Sequence, residues 1–475
     1  MRPPLGTATA SGAALIAAGA LLFAACAPHP RPAPVQEWPE PDQHRPVVSV
    51  DVTVADDLAS ATGRETVRFT PDARICELVF RAWPNKPRTA RSGNRLTVSA
   101  ARVDGRTVPV TTEAAGAPAG TPGTLVRLAL PACSEAGVTV SAELDYRVAL
   151  GADTDERLGV DPEREIAWLG GAVPLLAWER GHGWVTDPAV DVTGDFATTE
   201  TFRLDALTVV APQRYAVAGI GTPSPPGAGS AGPAPAGTTR HVFTGEAMRS
   251  FTFTVGKLSV TESEAAGSRL HLALPEGADP DRVRSWHQQM GASLEALSAR
   301  FGPVPYDDLW ISVLPAVSDG VEFGGAVQFA RIDPEEDRWL IDHELAHQWF
   351  HGLVGNDQAT DPWLDEAFAT YAQELVTPMG LSPDEWAGVD GQVGRPMAFW
   401  ADRRRADDAY VGAVYRRGAR ALLDAREAAG AEAFDAVLRT YLHDNAHRIA
   451  RPDDLRRALT GLDPALRVLH DAGAL

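Results

Sequence analysis

The pentapeptide His343-Glu344-Leu345-Ala346-His347, followed by Glu366 after eighteen intervening residues, has the residue types and spacing of a metal centre with its own base. Two histidines four apart on a helix project from one face, one turn above the other. Neutral imidazole is a good zinc ligand. A carboxylate from a second helix completes a three-ligand set and leaves one coordination position for water. Glu344 lies about 100° round the helix from His343, where it can reach such a water and take its proton. The bare pattern also fits a surface helix bearing two solvated histidines.

The flanking residues argue against that bland alternative. Asp333-Pro334-Glu335-Glu336 reads as a helix start, with Asp as cap, Pro at the first helical position and Glu closing a capping box. Trp339, Leu340, Leu345, Trp349 and Phe350 then make the segment strongly apolar, so the helix is expected to be buried. Histidines and a glutamate on a buried helix need polar partners, and a metal supplies them. The helix is expected to fray near Gly352 to Gly355. Asp361-Pro362 opens a second helix that carries Trp363-Leu364-Asp365-Glu366-Ala367-Phe368-Ala369-Thr370-Tyr371. Glu366 falls in its first turns among apolar residues, where a lone carboxylate is costly and ligation neutralises it.

Two further segments bear chemistry. Upstream stands Ser318-Asp319-Gly320-Val321-Glu322-Phe323-Gly324-Gly325, and downstream Tyr410-Val411-Gly412-Ala413-Val414-Tyr415-Arg416-Arg417-Gly418-Ala419. Together with H-E-L-A-H and W-L-D-E-A-F-A-T-Y, these resemble the gluzincin aminopeptidases, the family of aminopeptidase N and leukotriene hydrolase. The resemblance implies one zinc ion held by His343, His347 and Glu366, with Glu344 as general base. It implies that Glu322, beside Gly320, receives the free amine of a peptide, since an ammonium needs a carboxylate held at a fixed distance from the metal. It also implies that Tyr415 hydrogen-bonds the developing oxyanion, a task that suits a phenol because it donates while neutral. Tyr410 is a weaker candidate beside it. The chain departs from the family pattern with Asp365 for Asn and Ala367 for Gly, and neither change is expected to touch a ligand. Val321 and Phe323 replace the usual Met and Asn or Tyr around Glu322, which alters subsite shape and keeps the charge.

At 475 residues the chain is long enough for two or three domains, and 44% hydrophobic with 22% charged residues is ordinary for globular protein. A net charge of −20 argues against nucleic-acid or anionic-lipid binding through the folded part. The N-terminus reads as an export signal, with Arg2 ahead of a small, apolar run from Ala8 to Ala25. That run ends in Leu22-Phe23-Ala24-Ala25-Cys26, which resembles a bacterial lipobox with Cys26 as the lipidated residue. An ordinary secretory signal cleaved near Ala25 or Ala27 is the alternative. Lipidation of Cys26 leaves Cys76 and Cys133 as a pair in an oxidising compartment, expected to form a disulfide, with two buried free thiols as the alternative. The absence of C-x-x-C takes cysteine out of the metal site.

The sequence thus divides into a signal peptide (1–25), a lipidated Cys and Pro-rich tether (26–46), an N-terminal β domain (47–262) and a catalytic domain (263–475). Period-two runs such as Val48 to Val54, Thr66 to Phe69 and Val138 to Leu144 predict a β-sandwich or saddle of sheets. The Gly/Pro/Ala/Ser-rich stretch 221–238 reads as a hairpin loop, and the lone His182 as a structural loop residue. From 263 the pattern becomes strand, helix, strand and then mostly helix, with helix starts at Asp279-Pro280, Ser382-Pro383 and Arg451-Pro452. The fold class is therefore multidomain, with an all-β domain followed by an α+β domain that the resemblance makes thermolysin-like. Larger family members carry a further C-terminal helical domain. The sequence ends sixty residues after Tyr415, so a more open cleft is expected. The expected function is a zinc aminopeptidase acting on peptides, exported and attached to a membrane only through its lipid. An endopeptidase with an open cleft and an inactive peptide-binding lipoprotein are the alternatives.

Overall fold

The computed structural model describes residues 37–152, 157–225, 234–315, 319–381 and 389–475. The leader, Cys26, Ser318 and the Ser382-Pro383 helix start lie outside them. Among the described residues no helix is long and apolar enough to cross a membrane.

The first half is built of strands because its apolar residues alternate. In Val47–Val54, residues Val48, Val50, Val52 and Val54 are buried and their neighbours face outward. This strand pairs in parallel with Phe202–Pro212 and antiparallel with Ser60–Phe69, near the middle of an eight-stranded sheet. Among the described residues, the β part also holds the two-stranded pair Trp178–Glu179 with Gly183–Trp184 and two four-stranded sheets. One of them pairs Ile75–Arg81 with Leu125–Ser134, and a disulfide joins Cys76 to Cys133 across that pair, where the register shifts between Ile75 and Glu77. The stretch 221–238 connects Thr222–Pro223 to Thr238–Met248, which are hydrogen-bonded to each other as a hairpin.

The architecture changes at Leu258. A five-stranded sheet follows, ordered Leu258–Ala265, Ser268–Pro275, Asp308–Val313, Ala326–Phe329 and Gly320–Phe323. The helix Pro280–Phe301 crosses between the parallel strands Ser268–Pro275 and Asp308–Val313. Its start follows from sequence, since the Asp279 carboxylate accepts from the Asp281 N–H and Pro280 opens the first turn. After residue 337 the regular elements among the described residues are helices, apart from the short strands Gly355–Asn356 and Ile449–Ala450. One continuous apolar core runs from Val48 in the sheets to Ala474 at the end of the helical part.

The histidine helix is shorter at both ends than its sequence signals predict. It spans Arg338–Ala346. The Asp333 carboxylate accepts from the N–H groups of Glu335 and Glu336, so it caps a turn that leads into the helix, and Asp337 stands at the helix's own cap position. At the other end the N–H groups of Gly352, Leu353 and Val354 bond to the carbonyls of His347, Gln348 and Trp349, five residues back. The helix therefore opens into wider turns before Gly352. Phe350, in those turns, stacks on Phe368 of the second helix, Trp363–Val376, with centroids 4.9 Å apart. The Arg249 guanidinium donates to the carbonyls of Thr199, Gly352 and Arg448, tying this loop to the β part.

Candidate metal centre

The two helices bring His343, His347 and Glu366 together. Nε2 of His343 lies 3.3 Å from Nε2 of His347, and Glu366 Oε2 lies 3.4 Å from each. Three ligands bonded at about 2.0–2.1 Å with tetrahedral angles stand about 3.3 Å apart, so the triangle has the size of a zinc site. All three residues are buried, and Glu366 Oε2 has no protein hydrogen-bond donor. A buried carboxylate oxygen facing two imidazole nitrogens is the donor set a zinc ion fits. Burial works against charging Glu366, yet the two imidazoles bring its pKa down to about 2.

Two other clusters of possible ligands lie nearby, Glu322–His351–Asp365 and Glu322–Glu344–His347. Both depend on Glu322, whose Oε1 is held by the Arg157 guanidinium. A guanidinium on the shared carboxylate repels a second cation, so His343–His347–Glu366 is the set suited to metal.

The Asp at the position next to Glu366 is expected from the sequence to stand clear of the ligands. Asp365 does touch a ligand: its Oδ1 lies 2.6 Å from Nδ1 of His347, whose Nε2 faces the centre. Such a carboxylate fixes the ring and makes it a better donor. Burial disfavours the Asp365 charge, but His347 and His351 outweigh it and hold the carboxyl well below the usual range. Nδ1 of His343 has a weaker partner, the Thr370 hydroxyl at 3.4 Å.

Glu344 is buried one position beyond His343, and its Oε2 has no protein hydrogen-bond donor. Burial raises its carboxyl well above the usual range, with His347 opposing and Glu322 and Glu366 adding to the shift. Gly320 and Glu322 lie on the strand Gly320–Phe323, which folds back on Ala326–Phe329. Gln348 pins that hairpin to the histidine segment, accepting from the Gly325 N–H and donating to the Phe323 carbonyl. Tyr415 sits in a π-helical stretch, Val411–Arg417, its ring stacked 5.9 Å from that of His343. Tyr410 packs edge-on behind Tyr415 and is almost fully buried. Burial, with Glu366 next to it, keeps the Tyr415 phenol well above its ordinary pKa, so it is a neutral donor. Gly320, Glu322, Glu344 and Tyr415 line one cleft of about 400 Å³ with the three ligands, and Trp339, Leu340, Met379 and Leu381 extend it as an apolar wall.

Four residues of the site escaped sequence reasoning. Arg157 reaches Glu322 from 165 positions earlier, and Asp195 stands 3.6 Å from the same guanidinium. Neither carries a local signal. His351 and Gln358 meet Asp365 from within the motif region. His351 continues the four-residue spacing of His343 and His347, and that spacing was the readable signal.

Residues 331–468 match the Peptidase family M1 domain. Aminopeptidase M1 of Arabidopsis thaliana is 32% identical over 134 residues, which is 25% of this chain and 15% of that protein. Aminopeptidase N of Streptomyces lividans is 33% identical over 137 residues, covering 25% of this chain and 16% of the relative. The matched stretch is thus a small part of these longer proteins. Among solved structures, an M1 zinc metallopeptidase from Deinococcus radiodurans superposes with a TM-score of 0.62 at 20% identity, over 91% of this chain and 95% of that one. A mutant of an M1 zinc metallopeptidase from the same organism, bound to a Tyr-Ser-Ala substrate, gives 0.63 at 19% identity with the same coverage. The fold is therefore that of a two-domain M1 metallopeptidase.

Proposed function

We propose that this chain, which carries a peptidase family M1 domain over residues 331–468, is a zinc-dependent aminopeptidase that removes the N-terminal residue of peptides. The observation that carries the reading is the 3.3–3.4 Å triangle of His343, His347 and Glu366, which opens on the same cleft as Glu344, Glu322 and Tyr415. Zinc, when bound there, supplies a Lewis acid that polarises the scissile carbonyl and acidifies water.

The chain's own residues do the rest. Glu344, buried beside the ligands with Oε2 free of any protein donor, accepts the proton of the attacking water and returns it to the leaving amine. The neutral Tyr415 hydroxyl donates to the oxygen that becomes negative. Glu322 has Oε1 committed to Arg157, so Oε2 receives the substrate ammonium. The apolar wall excludes water from the peptide side chains.

Metal analysis with a paired assay tests this. The protein should hold one zinc per chain and cleave an aminoacyl-coumarin, while the N-acetylated analogue survives. Equal cleavage of the blocked substrate would instead identify an endopeptidase, and zinc without cleavage of either a peptide-binding protein.

We further propose that the enzyme works outside the cytoplasm, anchored through Cys26. The Leu22-Phe23-Ala24-Ala25-Cys26 segment and the disulfide between the other two cysteines support this. Palmitate labelling should be lost in Cys26→Ser, and labelling that persists in that variant would remove the anchor.

A further inference from the structure

We propose that His351 is a positioning residue of the metal centre, acting through Asp365 to fix the ring of His347 and so setting how tightly zinc is held. This rests on the zinc reading above.

The backbone points to His351 first. Its φ is +138°, a conformation that residues with a Cβ rarely adopt. Such strain persists only where the surroundings over-determine it, and it concentrates at functional positions. Here the chain is held on both sides: the His351 N–H donates to the Val354 carbonyl, and the next carbonyl, of Gly352, accepts from the buried Arg249. The fold thus forces an imidazole into a place where a glycine would rest without strain.

The side chain gives the reason. His351 is buried, and its Nδ1 lies 3.3 Å from Asp365 Oδ2. The other oxygen, Oδ1, is the one that meets His347 at 2.6 Å. The Gln358 amide donates to Oδ2 as well and lies 3.1 Å from His351 Nδ1. With one oxygen on the ligand and the other in a His351–Gln358 clamp, the carboxylate cannot rotate. That fixes the carboxylate oxygen that stands 2.6 Å from the His347 ring, whose Nδ1 also meets the Phe350 carbonyl at 3.1 Å. His351 Nε2 has no protein hydrogen-bond partner, so the ring's polar contribution rests on Nδ1.

The test is zinc affinity by chelator competition. Leucine at 351 fills the space without a donor, and asparagine places an amide nitrogen near where Nδ1 stands. His351→Leu should weaken zinc binding about 10- to 100-fold, and His351→Asn should recover most of the loss. Melting of the metal-free variants reads any purely structural effect separately. In an Asp365→Asn background the His351→Leu loss should shrink, since both changes break one chain of contacts. Parent-like affinity in His351→Leu, or losses that add in full, would overturn the proposal. If the leucine variant does not fold, His351→Gly carries the test, because glycine accepts φ +138° without strain, with the same loss expected and parent-like affinity overturning the idea. A parent protein that takes up no zinc would sink the aminopeptidase reading itself and, with it, the basis of this inference.

Discussion

Gly320 and Glu344 are packed so closely that a methyl group on Gly320 would stand 2.3 Å from the carboxyl carbon of Glu344. The strand that carries the candidate amine anchor therefore forms the wall against which the candidate base rests. Gly320→Ala should leave the fold intact, because the atoms it meets belong to one side chain, and displace Glu344 from its position. A displacement of about 1 Å costs on the order of a hundredfold in rate. We expect kcat to fall by that order with zinc content unchanged, and an unaltered kcat would show that Glu344 does not act from this position.

Glu344→Gln tests the base directly. Glutamine keeps the volume in a buried site and cannot accept the proton, so kcat should drop about 10²- to 10⁴-fold while one zinc is retained. Isolating the variant with zinc bound and full turnover would remove Glu344 from the mechanism.

Much of this site was legible because its residues lie on two adjacent helices with regular spacing. His343, His347 and Glu366 meet as their positions on amphipathic turns require, and Glu322 and Tyr415 join the same cleft. What was not legible depends on the path between elements. The histidine helix ends early because Gly352, Leu353 and Val354 bond five residues back, and no sequence signal announces that widening. The contact of Asp365 with His347 follows from the angle between the helices, which the pattern of apolar residues does not fix. Arg157 reaches Glu322 through the tertiary fold alone.

The two tyrosines should separate cleanly. Tyr415 lines the cleft and stacks on His343, whereas Tyr410 is buried behind it. Tyr415→Phe removes a donor from the developing oxyanion and should lower kcat about 10²- to 10³-fold, with KM little changed. Tyr410→Phe should stay close to the parent in kcat. Equal effects of the two changes would mean that packing around His343, and not donation, is what Tyr415 supplies.

The disulfide between Cys76 and Cys133 closes a loop with a sequence separation of 57. Restricting the unfolded chain over such a loop stabilises by about 4 kcal/mol in the entropic account. The Cys76→Ser/Cys133→Ser pair should therefore melt well below the parent, and reductant should lower the parent to the same point. Reductant-insensitive melting of the parent would argue that the bond contributes little to the native state.

His447 supplies a pH dependence that does not involve the metal. Its backbone has φ +63°, its N–H donates to the Leu353 carbonyl at 2.7 Å, and its own carbonyl accepts from the Thr201 hydroxyl at 3.0 Å. Burial pushes its pKa down to about 4, with Arg249 and Arg45 adding to the effect. A folded-state pKa below the unfolded value of about 6.5 means that the unfolded chain binds the extra proton between those limits. Stability is therefore constant above pH 6.5 from this group and falls as pH drops toward 4. Because the side chain is only partly buried, solvent screening trims the effect to about 1–2 kcal/mol. Asparagine tolerates a positive φ and does not titrate, so His447→Asn should flatten that limb of the stability curve in metal-free protein while matching the parent near pH 7.5. Denaturant midpoints at pH 5 and 7.5 measure the difference, and identical acid sensitivity in the two proteins would show that His447 is not the group that titrates.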